Sequence, residues 1–489
     1  MQLNELLEVL PGAEVTGGTE NIEVNGITDD SRETEPGFLF IAVKGAHTDG
    51  LRHVPKAEER GSVAVISEKK LNLRRAVGIT VPDSMDALAR VSAHFYGYPS
   101  EKMTLVGITG TNGKTTVSLL IQGILREAGM KPGLIGTLRY EIGNEILPAP
   151  NTTPNALRVQ SLLSRMIGKG LKACVMEVSS HALALGRVLG CRYNIRVLTN
   201  LTRDHLDFHG TMESYYEAKQ RLFHEAYAKP GGASVINMDD PWGRRLIREC
   251  SGPVWSFGMH QDADFRAMDP KCTIHGLCFR IRTPRGELAV NSPLIGAYNI
   301  YNILSAVAAG VSLGIPDPVI LQGMARVSGV PGRFEKIQGP GFMAVVDYAH
   351  TDDALKRLLE NARTLCNGRL ITIFGCGGER DRGKRPMMGR AAAELSDRVI
   401  VTSDNPRGED PAMIIRDILA GIMRSDVSVI EDRGLAIRQG IEEAGTGDLV
   451  VVAGKGHEDY QIIGDHRFHF DDREEVRKAI RQRVSKEKV

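Results

Sequence analysis

The chain has almost no net charge, with 61 Lys and Arg against 60 Asp and Glu, a balance of +1 over 489 residues. That balance offers no electrostatic case for a nucleic-acid or membrane-surface partner, so binding falls to local sites. Cysteine is scarce as well: there are seven, and the closest pair, Cys272 and Cys278, has the spacing of neither a zinc finger nor a redox Cys-x-x-Cys. Scattered reduced thiols are the reading that follows. No apolar run approaches the ~20 residues of a membrane span. Met1-Gln-Leu-Asn-Glu-Leu-Leu-Glu8 carries acids where a signal peptide carries a basic start, so a cytoplasmic protein is expected. Fixed-period repeats, low-complexity tracts and long charge runs are missing too, which weighs against arrays and disorder.

What is present divides into about three parts on the prior of ~150 residues per domain. Residues 1–98 read as a small α/β unit, with Phe38–Val43 and Val63–Ser67 as strands and Ser84–Tyr96 as a helix. Over 99–331, apolar segments such as Leu105–Thr109, Ala173–Val178 and Ile195–Thr199 alternate with helical ones, the pattern of a parallel sheet with crossover helices. After the turn-rich Gly329-Val-Pro-Gly-Arg333, residues 332–489 repeat that alternation in a second α/β sheet.

Gly107-Ile-Thr-Gly-Thr-Asn-Gly-Lys-Thr-Thr116 lies between an apolar strand and a helical segment. In such a turn the backbone N–H groups of Gly110, Thr111, Asn112 and Gly113 cradle phosphates, Lys114 reaches the terminal phosphate, and Thr115 and Thr116 open the helix with hydroxyls, that of Thr115 suited to Mg²⁺. The glycines fall at 107, 110 and 113 and Ile occupies 108, so this is a variant of the strict P-loop pattern. ATP is the expected nucleotide and Mg²⁺ the expected metal.

Strand ends in open α/β sheets face the ligand crevice. Met176-Glu177-Val-Ser179-Ser-His181 puts a candidate Mg²⁺ ligand, Glu177, at one such end. Thr199-Asn-Leu-Thr-Arg-Asp-His205-Leu-Asp-Phe-His209 follows a second strand, and one of its histidines is expected to ligate metal or phosphate. Asn299 and Asn302 lie three apart on a helix and could meet a purine edge, although Asn299 alone reads equally as a helix cap. Val346-Asp347-Tyr-Ala-His350 ends a strand of the last part, where Arg333 and Asp347 could close onto the nucleotide. The loops Gly375–Pro386, with Arg380, and Ser403-Asp404-Asn405-Pro406-Arg407 are rich in arginine, whose guanidinium forks suit a small carboxylate substrate. Gly454-Lys-Gly-His-Glu458 adds a carboxylate for an ammonium. By composition Lys219 is an ordinary solvated helix lysine.

In this order the blocks resemble the ATP-dependent Mur ligases of peptidoglycan synthesis over nearly the whole chain, and most of all those that add meso-diaminopimelate. The resemblance implies an N-terminal domain (1–98) for a uridine nucleotide, a central P-loop-type ATPase domain (99–331) and a C-terminal Rossmann-like domain (332–489) that brings the amino acid. It implies that Asp29, Ser31 and the Ala46-His47-Thr48 loop hold the UDP end of UDP-N-acetylmuramoyl-L-alanyl-D-glutamate, and that Asn151, Thr152, Thr153, Ser179 and Arg187 hold its dipeptide. Arg380, Asp404, Asn405, Pro406, Arg407, Gly454 and Glu458 would hold diaminopimelate. Asn299, Asn302, Arg333 and Asp347 would serve ATP. Lys114, Glu177, His205 and Lys219 would be catalytic, with Lys219 carbamylated and joining Thr115, Glu177 and His205 at the metal. Leu185 stands where some relatives carry a polar contact, and Asp352 replaces the family's Pro, a change expected to alter a turn and not the chemistry. Lysine-adding and folylpolyglutamate-type ligases, or a P-loop ATPase that only switches conformation, are the alternatives. A monomer is expected.

Overall fold

The computed structural model describes residues 1–44, 49–273 and 275–486. The Ala46-His47-Thr48 loop lies outside the described residues. Three sheets follow one another along the chain, each with its own apolar core. The first has five strands, in which Gly26–Thr28, Phe38–Ile41, Ala64–Ser67 and Val77–Thr80 run parallel and Glu14–Thr16 closes the edge antiparallel. Helix Ser84–Phe95 seals one face, started by the Asp83 carboxylate, which accepts from the N–H groups of Met85 and Asp86.

The central sheet has eleven strands. Its middle is parallel, with Thr104–Thr109 flanked by Ala173–Glu177 and Tyr193–Leu198. Ala173–Glu177 is buried at every residue, as a strand covered by helices on both faces must be. The sheet is nevertheless mixed and not parallel throughout. Phe265–Thr273, Gly276–Thr283 and Gly286–Ser292 form an antiparallel extension at one edge, and Tyr140–Ile142 with Glu145–Leu147 another at the opposite edge. Gly276–Thr283 alternates buried and exposed residues, which a strand with one wet face does and a crossover strand does not.

On one side, helices Lys114–Glu127 and Tyr298–Ser312 pack through Ile121, Ile124, Ile303 and Val307 against Val106, Ile108, Val175 and Val197. Helix Asp317–Ala325 reaches Lys114–Glu127 at unusually short range, because a Cβ on Gly123 would stand 2.6 Å from the Gly323 carbonyl oxygen. The third sheet orders Glu335–Gln338, Met343–Asp347, Leu449–Ala453, Leu370–Phe374, Arg398–Val401 and Val427–Val429, all parallel except the first. A separate two-stranded hairpin, Tyr460–Ile463 with His466–His469, follows it. The molecule is thus a multi-domain α/β protein with mixed sheets.

Candidate active site

Strand Thr104–Thr109 delivers the glycine-rich turn at its carboxyl end, and helix Lys114–Glu127 leaves it. Gly113 holds φ +88°, and a Cβ there would stand 2.4 Å from Asn302 Oδ1, so both backbone sign and space call for glycine. The next strand end fastens the turn: Asn200 Oδ1 accepts from the Asn112 N–H at 3.0 Å, and Thr199 Oγ1 donates to the Asn112 carbonyl at 2.6 Å. Thr111 Oγ1 donates to the Thr202 carbonyl at 3.1 Å. Lys114 folds back over the turn, its Nζ donating to the Gly110 and Thr111 carbonyls at 2.9 Å. Burial holds its pKa below the ordinary lysine value, against the pull of Glu177. Thr116 lines the adjoining cleft.

Glu177 is 1% exposed, at the end of strand Ala173–Glu177. Its Oε2 accepts from Thr115 Oγ1 at 3.0 Å and Thr137 Oγ1 at 2.9 Å, and its Oε1 from the Thr137 N–H at 3.0 Å. Thr137 went unnoticed in the sequence, although it stands just past the strand Pro132–Ile135, where the strand-end rule points. Lys219 is not solvated: it is 2% exposed, and its Nζ donates to the Gly110 carbonyl at 2.9 Å. Burial first, and the nearby Lys114 second, push its pKa well below the ordinary lysine value.

His181, His205 and His209 form one cluster, with the His181 ring centroid 4.8 Å from that of His205 and 5.6 Å from that of His209. His205, at φ +53°, lies 3.4 Å from Asp204 Oδ2, and burial brings its pKa down to about 3 despite that carboxylate. The His209 Nε2 lies 3.0 Å from Ser180 Oγ, and burial lowers its pKa to about 4. Among the described residues, no group of three or more His, Cys, Asp and Glu side chains could hold a metal ion. The oxygens that converge beside the turn are those of Thr115, Thr137 and Glu177.

Beside the turn, a cleft of about 250 Å³ opens between the central and C-terminal sheets, lined by Asn112, Thr116 and Asn302 on one side and Arg333, Asp347 and His350 on the other. The Arg333 guanidinium lies 4.6 Å from the centroid of the Tyr348 ring. Asp347 accepts from the N–H groups of Phe334 and Ala349, and burial raises its pKa while Arg333 opposes the rise. Asn299 does not line the cleft and does not cap the helix, which begins at Tyr298 after Ala297. It stands behind Asn302, accepting from Asn302 Nδ2 at 2.7 Å and donating to the Ile295 carbonyl at 2.6 Å. Asp239, Tyr301 and Arg357 also line the cleft and carried no signal in the sequence.

Asp29 and Ser31 stand in a second cavity, of about 920 Å³, between the first sheet and helix Ala156–Gly168. Asp29 Oδ2 accepts from Asn155 Nδ2 at 2.8 Å. The segment Asn151–Thr153 lies beside Glu177, and Asn155 just after it lines this cavity. The Asn151 carbonyl accepts from Tyr140 Oη at 2.5 Å, and Thr152 Oγ1 is 3.1 Å from Thr137 Oγ1. Thr153 Oγ1 donates to the Glu177 carbonyl at 2.8 Å and accepts from the Ser179 N–H, while Arg187 donates to the Thr153 carbonyl at 3.0 Å. Leu185 is exposed and lines a different cavity.

In the C-terminal sheet the loop after Arg398–Val401 is fixed from within. Asn405 Nδ2 donates to Glu458 Oε2 at 2.9 Å, and Arg407 donates to the Gly378 carbonyl at 2.7 Å. Burial pushes the pKa of Asp404 up, but Lys455 and Arg433 outweigh it and leave the carboxyl below its usual range. Glu458 goes the other way, raised by burial and by Asp404. A Cβ on Gly377 would lie 3.1 Å from an Arg407 nitrogen and 3.8 Å from Arg380 Cγ, so both arginines flank one turn, with Arg380 exposed. Pro406 is buried beside Gly378, and a Cβ on Gly454 would meet Asp404 Oδ2 at 2.7 Å.

Three family models match the chain: "Mur ligase family, catalytic domain" over residues 23–96, "Mur ligase middle domain" over 108–310 and "Mur ligase, glutamate ligase domain" over 332–456. The UDP-N-acetylmuramoyl-L-alanyl-D-glutamate--2,6-diaminopimelate ligase of Gloeobacter violaceus is 48% identical, with 99% of each chain covered. The ligase of the same name from Geobacter metallireducens is 44% identical over 99% of each chain. A solved structure of a UDP-N-acetylmuramoyl-L-alanyl-D-glutamate--2,6-diaminopimelate ligase superposes with a TM-score of 0.70 at 35% identity, covering 98% of this chain and 99% of that one. With its glycine-rich turn, its buried Glu177 and Lys219 and these matches along almost its whole length, the chain belongs to the Mur ligase family.

Proposed function

We propose that the protein is the ATP-dependent, ADP-forming ligase that adds meso-diaminopimelate to UDP-N-acetylmuramoyl-L-alanyl-D-glutamate in cytoplasmic peptidoglycan precursor synthesis, and so serves cell-wall growth and division. The observation that carries this reading is the glycine-rich turn joined through Thr115 to the buried Glu177, whose carbonyl in turn accepts from Thr153, in a chain 48% identical over 99% of its length to a ligase of that name. Residues 1–98 would hold the uridine nucleotide, 99–331 form the P-loop-type ATP domain and 332–489 the Rossmann-like amino-acid domain. A monomer is the working unit, without nucleic-acid or membrane partner. Among the described residues no helix is long and apolar enough to cross a membrane.

The D-glutamate γ-carboxylate attacks the γ-phosphoryl of ATP, giving an acyl phosphate and ADP. The diaminopimelate amine then attacks the acyl carbon; the C–N bond forms, the C–O bond to the phosphate breaks, phosphate leaves, and the nitrogen gives up a proton. Such transfers depend on positioning and charge neutralisation. Lys114 would exchange its two carbonyl partners for phosphoryl oxygens. Thr115 and Glu177 are hard oxygen donors suited to Mg²⁺, with His205 and a carbamylated Lys219 completing the set. Magnesium, when bound, neutralises charge on the transferring phosphoryl group. Gly110, Thr111, Asn112 and Gly113 present backbone N–H groups to the phosphates. Asn302, oriented by Asn299, and Arg333 and Asp347 flank the nucleotide. Asn151, Thr152, Thr153, Ser179 and Arg187 would hold the dipeptide near Glu177, and Asp29 and Ser31 the UDP end. Glu458 and Asp404 suit the ammonium of the amino acid, and Arg407 and Arg380 its carboxylates.

A lysine-adding or folylpolyglutamate-type ligase would share the ATP half. The arginine loop, which suits a second carboxylate, favours diaminopimelate. Phosphate release measured while omitting each substrate in turn tests the reading. Release should need ATP, Mg²⁺, the UDP-linked dipeptide and diaminopimelate together, and mass spectrometry should show the UDP-tripeptide. Equal ATP turnover without the amino acid and without the dipeptide would remove the ligase assignment.

A further inference from the structure

The roles above leave Lys455 without a part, although it is 0% exposed and a buried ammonium is costly unless something employs it. Its Nζ donates to Asn405 Oδ1 at 2.8 Å and lies 3.8 Å from Glu458 Oε2. Asn405 Oδ1 accepts a second bond, from the Ile462 N–H at 3.0 Å. With two donors on the oxygen, the amide nitrogen must face Glu458 Oε2, where it donates at 2.9 Å. A flipped amide would turn its own N–H groups towards an ammonium and a backbone N–H. Asn405 therefore has one polarity, and Glu458 one anchored oxygen.

The hairpin strand Tyr460–Ile463 holds the rest of the loop. Gln461 Nε2 donates to the Asp404 carbonyl at 2.7 Å. The Arg407 N–H donates to the Ile462 carbonyl at 3.1 Å, and the Gly464 N–H to the Arg407 carbonyl at 2.8 Å. Arg407 sits at φ +53°, a conformation that a non-glycine residue keeps when its surroundings impose it. Backbone bonds on both sides of the residue do so here.

We propose that Lys455 and the strand Tyr460–Ile463 are the positioning elements of the amino-acid site, Lys455 setting the polarity of Asn405 and the rotation of Glu458, and the strand holding Arg407 in its left-handed conformation. This rests on the reading of the Asp404–Arg407 loop as the place that receives the amino acid. Lys455 is sealed from the cleft and acts through its neighbours.

The test is a set of steady-state constants for all three substrates in Lys455→Met and Gln461→Leu, with Arg407→Ala in parallel. Loss of one such bond should raise KM for diaminopimelate about tenfold. The KM values for ATP and the UDP-dipeptide should stay put, and in Gln461→Leu the preference for diaminopimelate over lysine should narrow. A general loosening of the fold would move all three KM values together, and that result overturns the inference. So do wild-type diaminopimelate KM values in both variants while Arg407→Ala raises it. If Arg407→Ala also leaves that KM unchanged, the reading of the loop fails and takes the inference with it. Gln461 is half-buried, so Gln461→Leu decides alone if Lys455→Met does not fold.

Discussion

Lys114 and Lys219 donate to the same carbonyl, that of Gly110, each at 2.9 Å. Two amines on one acceptor and out of water cannot both stay charged at low cost, and burial first and Lys114 second push the Lys219 pKa well below the ordinary lysine value. A neutral amine is the form that adds CO₂, so this environment suits the carbamate proposed for it. The sign follows: a depressed lysine pKa leaves more of the neutral, reactive amine at a given pH than an ordinary lysine has, and acid, by protonating the amine, should abolish the carbamate. Lys219→Ala should lose most phosphate release, and acetate or another short carboxylic acid should restore part of it. An alanine variant as active as the parent would sink the proposal. At the opposite end of the site, Arg407 is expected to pair with the distal carboxylate that lysine lacks. A charge-assisted bond is worth roughly 1.5–3 kcal/mol, and ~1.4 kcal/mol is about tenfold in rate, so Arg407→Ala should cut kcat/KM for diaminopimelate by about one to two orders of magnitude. The KM for the UDP substrate should hardly move. An unchanged ratio of diaminopimelate to lysine would show that specificity lies elsewhere. Neither residue had the same legibility: Arg407 announced itself in an arginine-rich loop after a strand, whereas Lys219 looked like any helix lysine until packing buried it.

Helix Lys384–Leu395 carries the arginine loop into the C-terminal core, and its second residue anchors it. Arg385 is 1% exposed and donates to Glu409 at 2.9 and 3.1 Å and to Asp417 at 2.9 Å. That guanidinium holds the Glu409 carboxyl down to about 2. A carboxyl lowered from its ordinary ~4.3 contributes stability that is complete above that value and lost as pH falls towards the folded pKa. Glu409→Gln should therefore lower Tm at pH 7, and the gap from the parent should close as the melts are repeated from pH 5 down to pH 3. A gap independent of pH would show that the ion pair is not its source. The helix after His350 shows what stands at the position where the resemblance leads to proline. Thr351 caps helix Asp352–Leu365 by accepting from the Ala354 N–H, which makes Asp352 its first residue. Proline is favoured at that position because no N–H is needed there, and aspartate is favoured because it complements the helix dipole, so both residues suit the start of this helix.

The cleft beside the phosphate-binding turn draws its walls from two sheets, and an ion pair between Arg203 and Asp381 at 3.2 Å crosses between them. The pair is partly exposed and of the kind that contributes little by itself, so a nucleotide bound in the cleft, as proposed, would be the stronger clamp. Mg²⁺-ATP at a hundred times its Kd should stabilise the protein by about 2.7 kcal/mol. Scanning calorimetry should show the unfolding of the central and C-terminal parts rising together, whereas a rise confined to one transition would place the nucleotide against one sheet alone. The alternation of apolar segments with helical ones already gave three α/β parts, and the glycine turn, Glu177 and the arginine loops were legible because each follows a strand and strand ends face the crevice. Those features are local, a matter of residue type and spacing. The antiparallel edges of the central sheet, the clasp of Thr137 on Glu177, the retreat of Asn299 behind Asn302 and the burial of Lys219 and Lys455 were decided by tertiary structure alone. The clasp on Glu177 and the two lysine burials depend on what packs against the residue from a distant part of the chain: Thr137 is 40 residues from Glu177, Gly110 is 109 from Lys219, and Asn405 is 50 from Lys455. Desolvation, which lowers the pKa of an otherwise ordinary lysine, is a property of the assembled core and of no single segment.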